Sequence, residues 1–301
     1  MQFARRYHLR VDYGLCLPNF RAGASRAGME SAAETAERLG WSTVWTTDHV
    51  LVTTEDASDY GRIFDAILSL AWIGARFERV RLGTSVIVVP QRNAVVLAKE
   101  FASLDALSGG RLLAGVGIGW SEPEFANLGV PERFRVRGAY LDETVRLWRH
   151  LWSGSTEPFP GRFHAIDDFA FEPLPVQGAD VPIVVGGRAE AALRRAGALG
   201  DWYQSSATGA EKYAARIPII RAAAEAAGRP MPKLSARAYA HFGPARDEYW
   251  AIRGTPEEMA AEIRAFADLG VEHVALWFDE TDPESLVAAC DRFAREVVSL
   301  V

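Results

Sequence analysis

Residues 29–47, MESAAETAERLGWSTVWTT, decide the fold. The first eleven, 29–39, carry apolar residues at helical spacing and are followed by Gly40, the usual signal just past a helix C-terminus. The last five, TVWTT at 43–47, are β-branched or aromatic and predict a strand. A helix joined to a strand by a short glycine turn is typical of an α/β protein with a parallel sheet and crossover helices.

The same alternation recurs along the chain, so its units can be counted. It predicts eight strands, at 11–17, 43–47, 80–88, 111–117, 181–185, 202–206, 234–241 and 272–278. Helices are predicted at 29–39, 94–107, 138–152, 189–199, 210–227, 256–269 and 283–299. Eight such repeats in 301 residues fit a (β/α)8 TIM barrel better than an open doubly wound sheet. We therefore expect a single domain spanning residues 1–301.

Three stretches fall outside these repeats. Residues 153–180, between the predicted helix 138–152 and the fifth predicted strand, are rich in Pro and Gly and are too long for a plain loop. We predict an insertion that packs over the barrel. The irregular stretch 243–254 is predicted to be a second long loop of the functional type, and residues 1–10 a surface extension.

Composition and charge exclude several classes of function. The formal net charge of −6 repels polyanions, so no nucleic-acid partner is expected. Charged residues interrupt every apolar run before the ~18 residues of a membrane span, so no membrane segment is predicted. Cys16 and Cys290 have neither disulfide-framework nor zinc-site spacing, which is consistent with a cytoplasmic protein.

Histidines at the predicted strand ends are the first candidates for chemistry, because a TIM barrel builds its site there. His49 follows strand two and exchanges a proton near neutral pH, so it is a candidate general acid or base, with a hydrogen-bonded loop histidine as the alternative. His241 carries the same two interpretations. His150, His164 and His273 are interpreted as structural. The strand ends offer too few further ligands for a metal, and none is predicted.

Glycines follow strands four and five. Gly117-Ile118-Gly119 and Gly186-Gly187-Arg188 expose backbone to an approaching ligand, and the second group places N–H groups and a guanidinium at a predicted helix start. Tight turns are the alternative explanation. No dinucleotide-binding or P-loop glycine motif occurs in context. Together the two groups indicate a phosphate-bearing cofactor of another kind.

Several short motifs, in order along nearly the whole chain, resemble those of the luciferase-like flavin and deazaflavin oxidoreductases. They are GLCLP at 14–18, AERLGW at 36–41, VWTTDH at 44–49, LGTSV at 82–86, LDALSGGR at 104–111, GVGIGW at 115–120, PIVVGG at 182–187 and GTPEE at 254–258. The resemblance implies a TIM barrel that binds coenzyme F420, with FMN as the alternative cofactor. Asp48-His49 together with 84–86 favours the F420 branch.

The resemblance also implies roles for individual residues. His49 would be the proton donor or acceptor beside the reacting carbon, and Asp48 would contact the deazaflavin ring. Ser85-Val86 matches the position of a non-prolyl cis peptide that presses on the ring. The implied cofactor-binding residues are Asp48, Thr84, Ser85, Val86, Gly117, Gly119, Gly186, Gly187 and Arg188.

The implied function is hydride transfer between F420 and a small organic substrate. An FMN-dependent two-component monooxygenase and a non-catalytic deazaflavin-binding protein are the alternatives. Trp120 stands where sugar-phosphate dehydrogenases of the family place a catalytic glutamate, so the sequence does not indicate a sugar phosphate. Barrels of this family often pair through helices, so a homodimer is expected, with the apolar last helix 283–299 as one candidate surface and coverage of the barrel wall as the other use of that helix.

Overall fold

The computed structural model describes residues 11–244 and 251–301, and it confirms the TIM barrel. Each of eight parallel strands pairs with its neighbours in sequence, and the last also pairs with the first, which closes the cylinder. The strands are β1 Asp12–Cys16, β2 Thr43–Thr46, β3 Arg81–Thr84, β4 Leu112–Gly117, β5 Ile183–Gly186, β6 Trp202–Ser206, β7 Lys233–Phe242 and β8 His273–Trp277. The predicted extension 1–10 and the centre of the predicted loop 243–254 lie outside the described residues.

Helices cover the outer face of the sheet. They are α1 Arg26–Leu39, α2 Ala57–Tyr60, α3 Ala66–Gly74, α4 Ala94–Ser108, α5 Glu122–Asn127, α6 Arg133–Trp152, α7 Glu190–Leu199, α8 Ala210–Ala214, α9 Ile217–Ala226, α10 Pro256–Asp268 and α11 Pro283–Glu296. Short strands lie at Ile87–Val88, Phe159–Pro160, Ala165–Ile166 and Ile252–Gly254, and 3-10 turns at Val89–Gln91, Gly178–Asp180 and Val298–Leu300. The predicted helix 210–227 is split, because Pro218 has no N–H to continue the preceding turn.

A bulge interrupts the predicted strand 80–88. Gly83 pairs with Leu113, but the next residue that pairs with β4 in the same way is Ile87, opposite Val116. Four steps along one strand therefore match three along its neighbour, so one residue is extra. The bulge contains the cis peptide between Ser85 and Val86 that the family resemblance predicts.

The interior of the barrel is filled below its mouth. Side chains from several strands form a buried cluster there, which comprises Cys16, Phe20, Trp45, Leu113, Val184, Trp202, Ala275 and Trp277. Gly83 leaves space for the indole of Trp45, since a Cβ at Gly83 would lie 2.3 Å from Trp45 Cε3. Any ligand site must therefore lie above this layer, at the carboxyl ends of the strands.

The insertion 153–180 lies along the outside of α6, and none of the residues that line the cavity at the mouth comes from it. Glu143 on α6 accepts hydrogen bonds from the backbone N–H groups of residues 162–164. His164 also bonds to Thr144, at 2.8 Å. These contacts hold the hairpin against the helix wall, so the insertion packs on the side of the barrel and does not line its mouth.

The last helix, α11, buries its apolar face within the chain. Leu286, Cys290 and Phe293 are all buried against the core. They cover the barrel wall, so they are not free to pair with a second copy. In the described parts of the chain, no helix has both the length and the apolar composition that crossing a bilayer requires.

Candidate active site at the barrel mouth

A cavity of about 500 Å³ opens at the carboxyl ends of the strands. This volume is within the usual range for ligand and cofactor sites. Nine of the ten predicted site residues line it, namely Asp48, His49, Ser85, Val86, Gly117, Gly119, Gly186, Gly187 and Arg188. Thr84 does not. It is fully buried behind the wall, where its hydroxyl donates to Gly115 O and accepts from Gly115 N.

His49 lies three residues beyond the end of β2 and forms a buried pair with Glu124 on α5. His49 Nδ1 lies 2.9 Å from Glu124 Oε2, which also accepts from Gln91 Nε2 at 3.0 Å. The other oxygen, Oε1, accepts from the backbone N–H groups of Val50 and Leu51. An ionised carboxylate can only accept, so Nδ1 carries a proton and Nε2 is left as the nitrogen that exchanges one.

Glu124 is ionised for a clear physical reason. Burial alone would raise its pKa, but the hydrogen bonds from His49, Gln91 and Val50 outweigh burial and lower the pKa to about 2. A permanently charged partner fixes the tautomer and orientation of an imidazole. Glu124 was not among the predicted site residues, because the short helix α5 was not predicted. The available signal was Pro123 between two glutamates just after strand four, which is typical of a helix start.

Asp48 lines the cavity, and both oxygens of its carboxylate are hydrogen-bonded to neighbouring protein groups. Its Oδ2 accepts from Val88 N at 3.0 Å, and its Oδ1 accepts from Arg92 Nη2 at 2.7 Å. The side chain is only 1% exposed. The carboxylate therefore fixes Arg92 and the backbone just after the bulge, and contact of Asp48 with the cofactor ring stays a prediction.

Gly117 and Gly186 make room for Val86. A Cβ at Gly117 would lie 2.4 Å from Val86 Cγ2, and one at Gly186 would lie 2.6 Å from Val86 Cγ1. The side chain at the bulge therefore nests between the ends of β4 and β5. Val86 occupies the space that a side chain would need at either of these two glycines, while both still line the cavity; Gly187 lies in a positive-φ turn before α7.

A polar network that the sequence analysis did not anticipate forms the floor of the cavity. Arg237 on β7 donates from Nη1 to Ser85 O at 2.7 Å and from Nη2 to Thr47 Oγ1 at 2.8 Å. Ser85 Oγ donates to Gln204 Oε1 at 2.5 Å. The available signal was an arginine in the middle of LSARAYAH, an otherwise largely apolar strand.

The cavity favours an anionic ligand. Arg137, Arg188 and Arg237 line it, and Asp48 is the only acid among the described lining residues. Helix α7 begins just after 186–189, and no side chain caps its first N–H groups. Unpaired N–H groups at a helix start and nearby guanidinium groups both attract negative charge.

Two aromatic rings flank His49. The ring centroid of Tyr60 lies 4.3 Å from that of His49, and Trp120 lies 5.7 Å away in an edge-on orientation. Trp120 is 54% exposed, so it forms part of the outer wall. Together the two rings give the entrance beside His49 an apolar surface.

Residues 12–253 match the family described as luciferase-like monooxygenase. This chain belongs to that family. Its relatives include proteins named F420-dependent glucose-6-phosphate dehydrogenase. The one from Amycolatopsis mediterranei is 31% identical over 89% of this chain and 86% of its own length. The one from Kineococcus radiotolerans is 32% identical over 93% of this chain and 86% of its own length. The predicted family is therefore confirmed.

Solved structures share the luciferase-like fold. The F420-dependent tetrahydromethanopterin reductase from Methanopyrus kandleri superposes with a TM-score of 0.79 at 16% identity, over 96% of this chain and 99% of its own. An F420-dependent secondary alcohol dehydrogenase in complex with an F420-acetone adduct superposes with a TM-score of 0.80 at 20% identity, over 97% of this chain and 99% of its own. At these identities the likeness shows the fold alone.

The other four histidines among the described residues lie away from this luciferase-like site. His241 lines a separate cavity between β7 and α11. His150, His164 and His273 hydrogen-bond to Glu157 O, Thr144 and Ser235, as their interpretation as structural residues predicts. Within 11–244 and 251–301, no three His, Cys, Asp or Glu side chains gather in a way that could hold a metal ion.

Proposed function

We propose that this luciferase-like barrel is an F420-dependent oxidoreductase that moves a hydride between the deazaflavin and a small organic substrate. Relatives 31% and 32% identical over most of the chain are named F420-dependent dehydrogenases, which supports the cofactor and the reaction class. The observation that carries the proposal is the His49–Glu124 pair, which borders a cavity that the bulge at Ser85-Val86 also lines.

The residues at the mouth fit F420. This cofactor has a flat ring with a polar pyrimidine edge and an anionic tail, and when bound it supplies the hydride chemistry. The bulge offers a wall for a flat ring, and the floor offers Ser85, Gln204 and Arg237 as hydrogen-bonding groups. Arg137 and Arg188 at the cavity wall suit an anionic tail.

His49 acts on the proton that accompanies the hydride. In the direction of alcohol oxidation, Nε2 accepts the hydroxyl proton as the C–H bond breaks, and in the reverse direction it returns that proton to the carbonyl oxygen. Glu124 holds the Nδ1 proton in both directions. Tyr60 and Trp120 exclude water from one side of the imidazole.

We propose a small, largely apolar alcohol or carbonyl compound as the substrate class. The support is the pair of aromatic rings beside His49, which offer contact area but few hydrogen bonds to a polyhydroxylated molecule. Trp120 also stands where the family's sugar-phosphate dehydrogenases have a glutamate. Glucose 6-phosphate is accordingly not our proposed substrate, although relatives carry that name.

A titration with the two cofactors tests the proposal. We expect F420 to bind with micromolar affinity, seen as fluorescence quenching, and FMN to bind far more weakly; tight FMN binding without F420 binding would favour the monooxygenase instead. In single-turnover assays with reduced F420 and a panel of ketones, His49→Asn should slow oxidation of the cofactor by about 10²-fold. His241→Asn, in the separate cavity, is the matched control. Equal rates for wild type and His49→Asn would indicate binding without catalysis.

We also propose a homodimer, which pairs through α3 and its surroundings instead of α11. Several large apolar side chains are exposed on this face, namely Phe64 at 43%, Leu68 at 72%, Trp72 at 42% and Val96 at 55%. Large exposed apolar side chains grouped on neighbouring helices typically mark a protein interface.

A further inference from the structure

Arg237 is a buried cation without an acidic partner in the described part of the chain. Its side chain donates to the carbonyl of Ser85 and to the hydroxyls of Thr47 and Ser85, and it also hydrogen-bonds to the thiol of Cys16. None of these partners is a carboxylate. The residue is 7% exposed, and its Nε atom has no hydrogen-bond partner.

None of the titratable groups that act most strongly on Arg237 is a carboxylate. They are Cys16 on β1, Tyr60 on α2 and Tyr239 on β7. Burial raises the pKa of the Cys16 thiol and of the Tyr60 phenol, so both stay neutral at physiological pH. A buried charge that lacks a counter-charge is costly, and proteins keep one mainly where a ligand completes the pair.

The position of Arg237 suggests which ligand group supplies the missing negative charge. The guanidinium lines the mouth cavity and holds the carbonyl of Ser85, so it lies directly at the bulge. Gln204 joins the same network through Ser85. This floor is polar, whereas the surface beside His49 is aromatic. A ring with one polar edge is therefore matched at the floor by hydrogen-bonding groups and one uncompensated positive charge.

We propose that Arg237 is the counter-charge of the reduced deazaflavin and binds the polar edge of the ring more tightly after reduction than before it. This inference rests on the proposed F420 function. Hydride transfer to the ring breaks a C–H bond of the substrate, forms one on the ring and brings two electrons and one proton, while the hydroxyl proton goes to His49. The ring thereby gains one negative charge, which is shared over its pyrimidine edge, and the guanidinium offsets that charge.

The test is to measure the dissociation constants of oxidised and reduced F420 separately, under anaerobic conditions. Wild type, Arg237→Met and Arg237→Lys are compared, with the cavity-lining Arg137→Met as the matched control. We expect Arg237→Met to weaken binding of reduced F420 about 10- to 100-fold more than binding of oxidised F420, which lowers the midpoint potential of the bound cofactor. We expect Arg237→Lys to keep part of the wild-type preference for reduced over oxidised F420. Arg137→Met should weaken binding of the two redox forms by the same factor.

Two results would overturn the assignment while leaving F420 as the cofactor. One is that Arg237→Met and Arg237→Lys, both folded by circular dichroism, weaken both redox forms by the same factor. The other is that neither dissociation constant changes and only the KM of an anionic substrate rises. If wild type binds neither form, the proposed function itself fails, and the assignment of Arg237 fails with it.

Discussion

His49 Nδ1 and Glu124 Oε2 lie 2.9 Å apart, although the two residues are separated by 75 positions in the sequence. The second oxygen of the same carboxylate accepts from the backbone N–H groups of Val50 and Leu51. One side chain on α5 therefore fixes both the imidazole and the loop that follows it. The catalytic histidine that we propose is held from β4's side of the barrel rather than from its own strand.

Glu124→Gln should reduce turnover without removing the cofactor. An amide cannot supply the negative charge that fixes the Nδ1 proton, so we expect kcat to fall about 10- to 100-fold while the dissociation constant of F420 stays within about twofold. Steady-state kinetics and F420 titration measure the two quantities. Glu122→Gln, an exposed residue on the same short helix, is the control and should behave as wild type. An unchanged kcat in Glu124→Gln would refute the positioning role.

Glu124 should also make stability depend on pH. Its pKa is about 2 in the folded protein, against 4.5 ordinarily, so folding favours the ionised form. This stabilisation is fully present above about pH 4.5 and is lost as the pH falls toward 2. We expect wild type to exceed Glu124→Gln by up to about 3 kcal/mol in free energy of unfolding at pH 7, with a smaller difference at pH 3. Urea unfolding at several pH values checks this, and a difference that stays constant with pH would contradict it.

Gly117→Ala should disturb the bulge through Val86. The new methyl group would lie 2.4 Å from Val86 Cγ2, so Val86 must move. We expect the free energy of unfolding to fall by about 1–3 kcal/mol, and F420 binding to weaken because the wall of the cavity shifts. The double variant Gly117→Ala/Val86→Ala removes the clash and should recover most of both losses. If the second substitution brings no recovery, the contact with Val86 is not the cause.

Leu68→Lys should convert the proposed dimer to monomer. A charged side chain in the centre of an apolar interface leaves a desolvated charge, which is costly. Light scattering after size-exclusion chromatography measures the mass. Leu107→Lys, at a leucine that is 87% exposed near the end of α4, is the control and should stay dimeric. A wild type of 33.0 kDa in solution would disprove the dimer.

Much of the fold was predictable because each barrel unit carries a local signal. Glycine ends such as Gly40 and the compact β-branched runs place seven of the eight barrel strands within one or two residues of their observed bounds. The third strand ends at Thr84 and not at residue 88, because the bulge interrupts it. Helix α3 was missed because AILSLAWIG is apolar on nearly all sides and so shows no helical period.

The site was less predictable because its contacts are long-range. His49 could be predicted from its place at a strand end. Its partner Glu124 could not be predicted, because no local sequence pattern indicates a contact between residues 75 positions apart. The same holds for Arg237 and Ser85, which are 152 positions apart. Thr84 was misplaced for a related reason. Alternation along a regular strand does not reveal that an extra residue turns Ser85 and Val86, and not Thr84, toward the mouth.

The extra residue between Gly83 and Ile87 has a consequence for how the protein can change over evolution. The bulge forms a shelf at the cavity wall because the strand contains one additional residue. Its presence therefore depends on the number of residues between Gly83 and Ile87 and not on which side chains they carry. Substitutions at Ser85 or Val86 can vary its chemistry, whereas deletion of a single codon would straighten the strand and erase the shelf. The barrel would then have a regular third strand but would lose one wall of the cavity in which we place the cofactor.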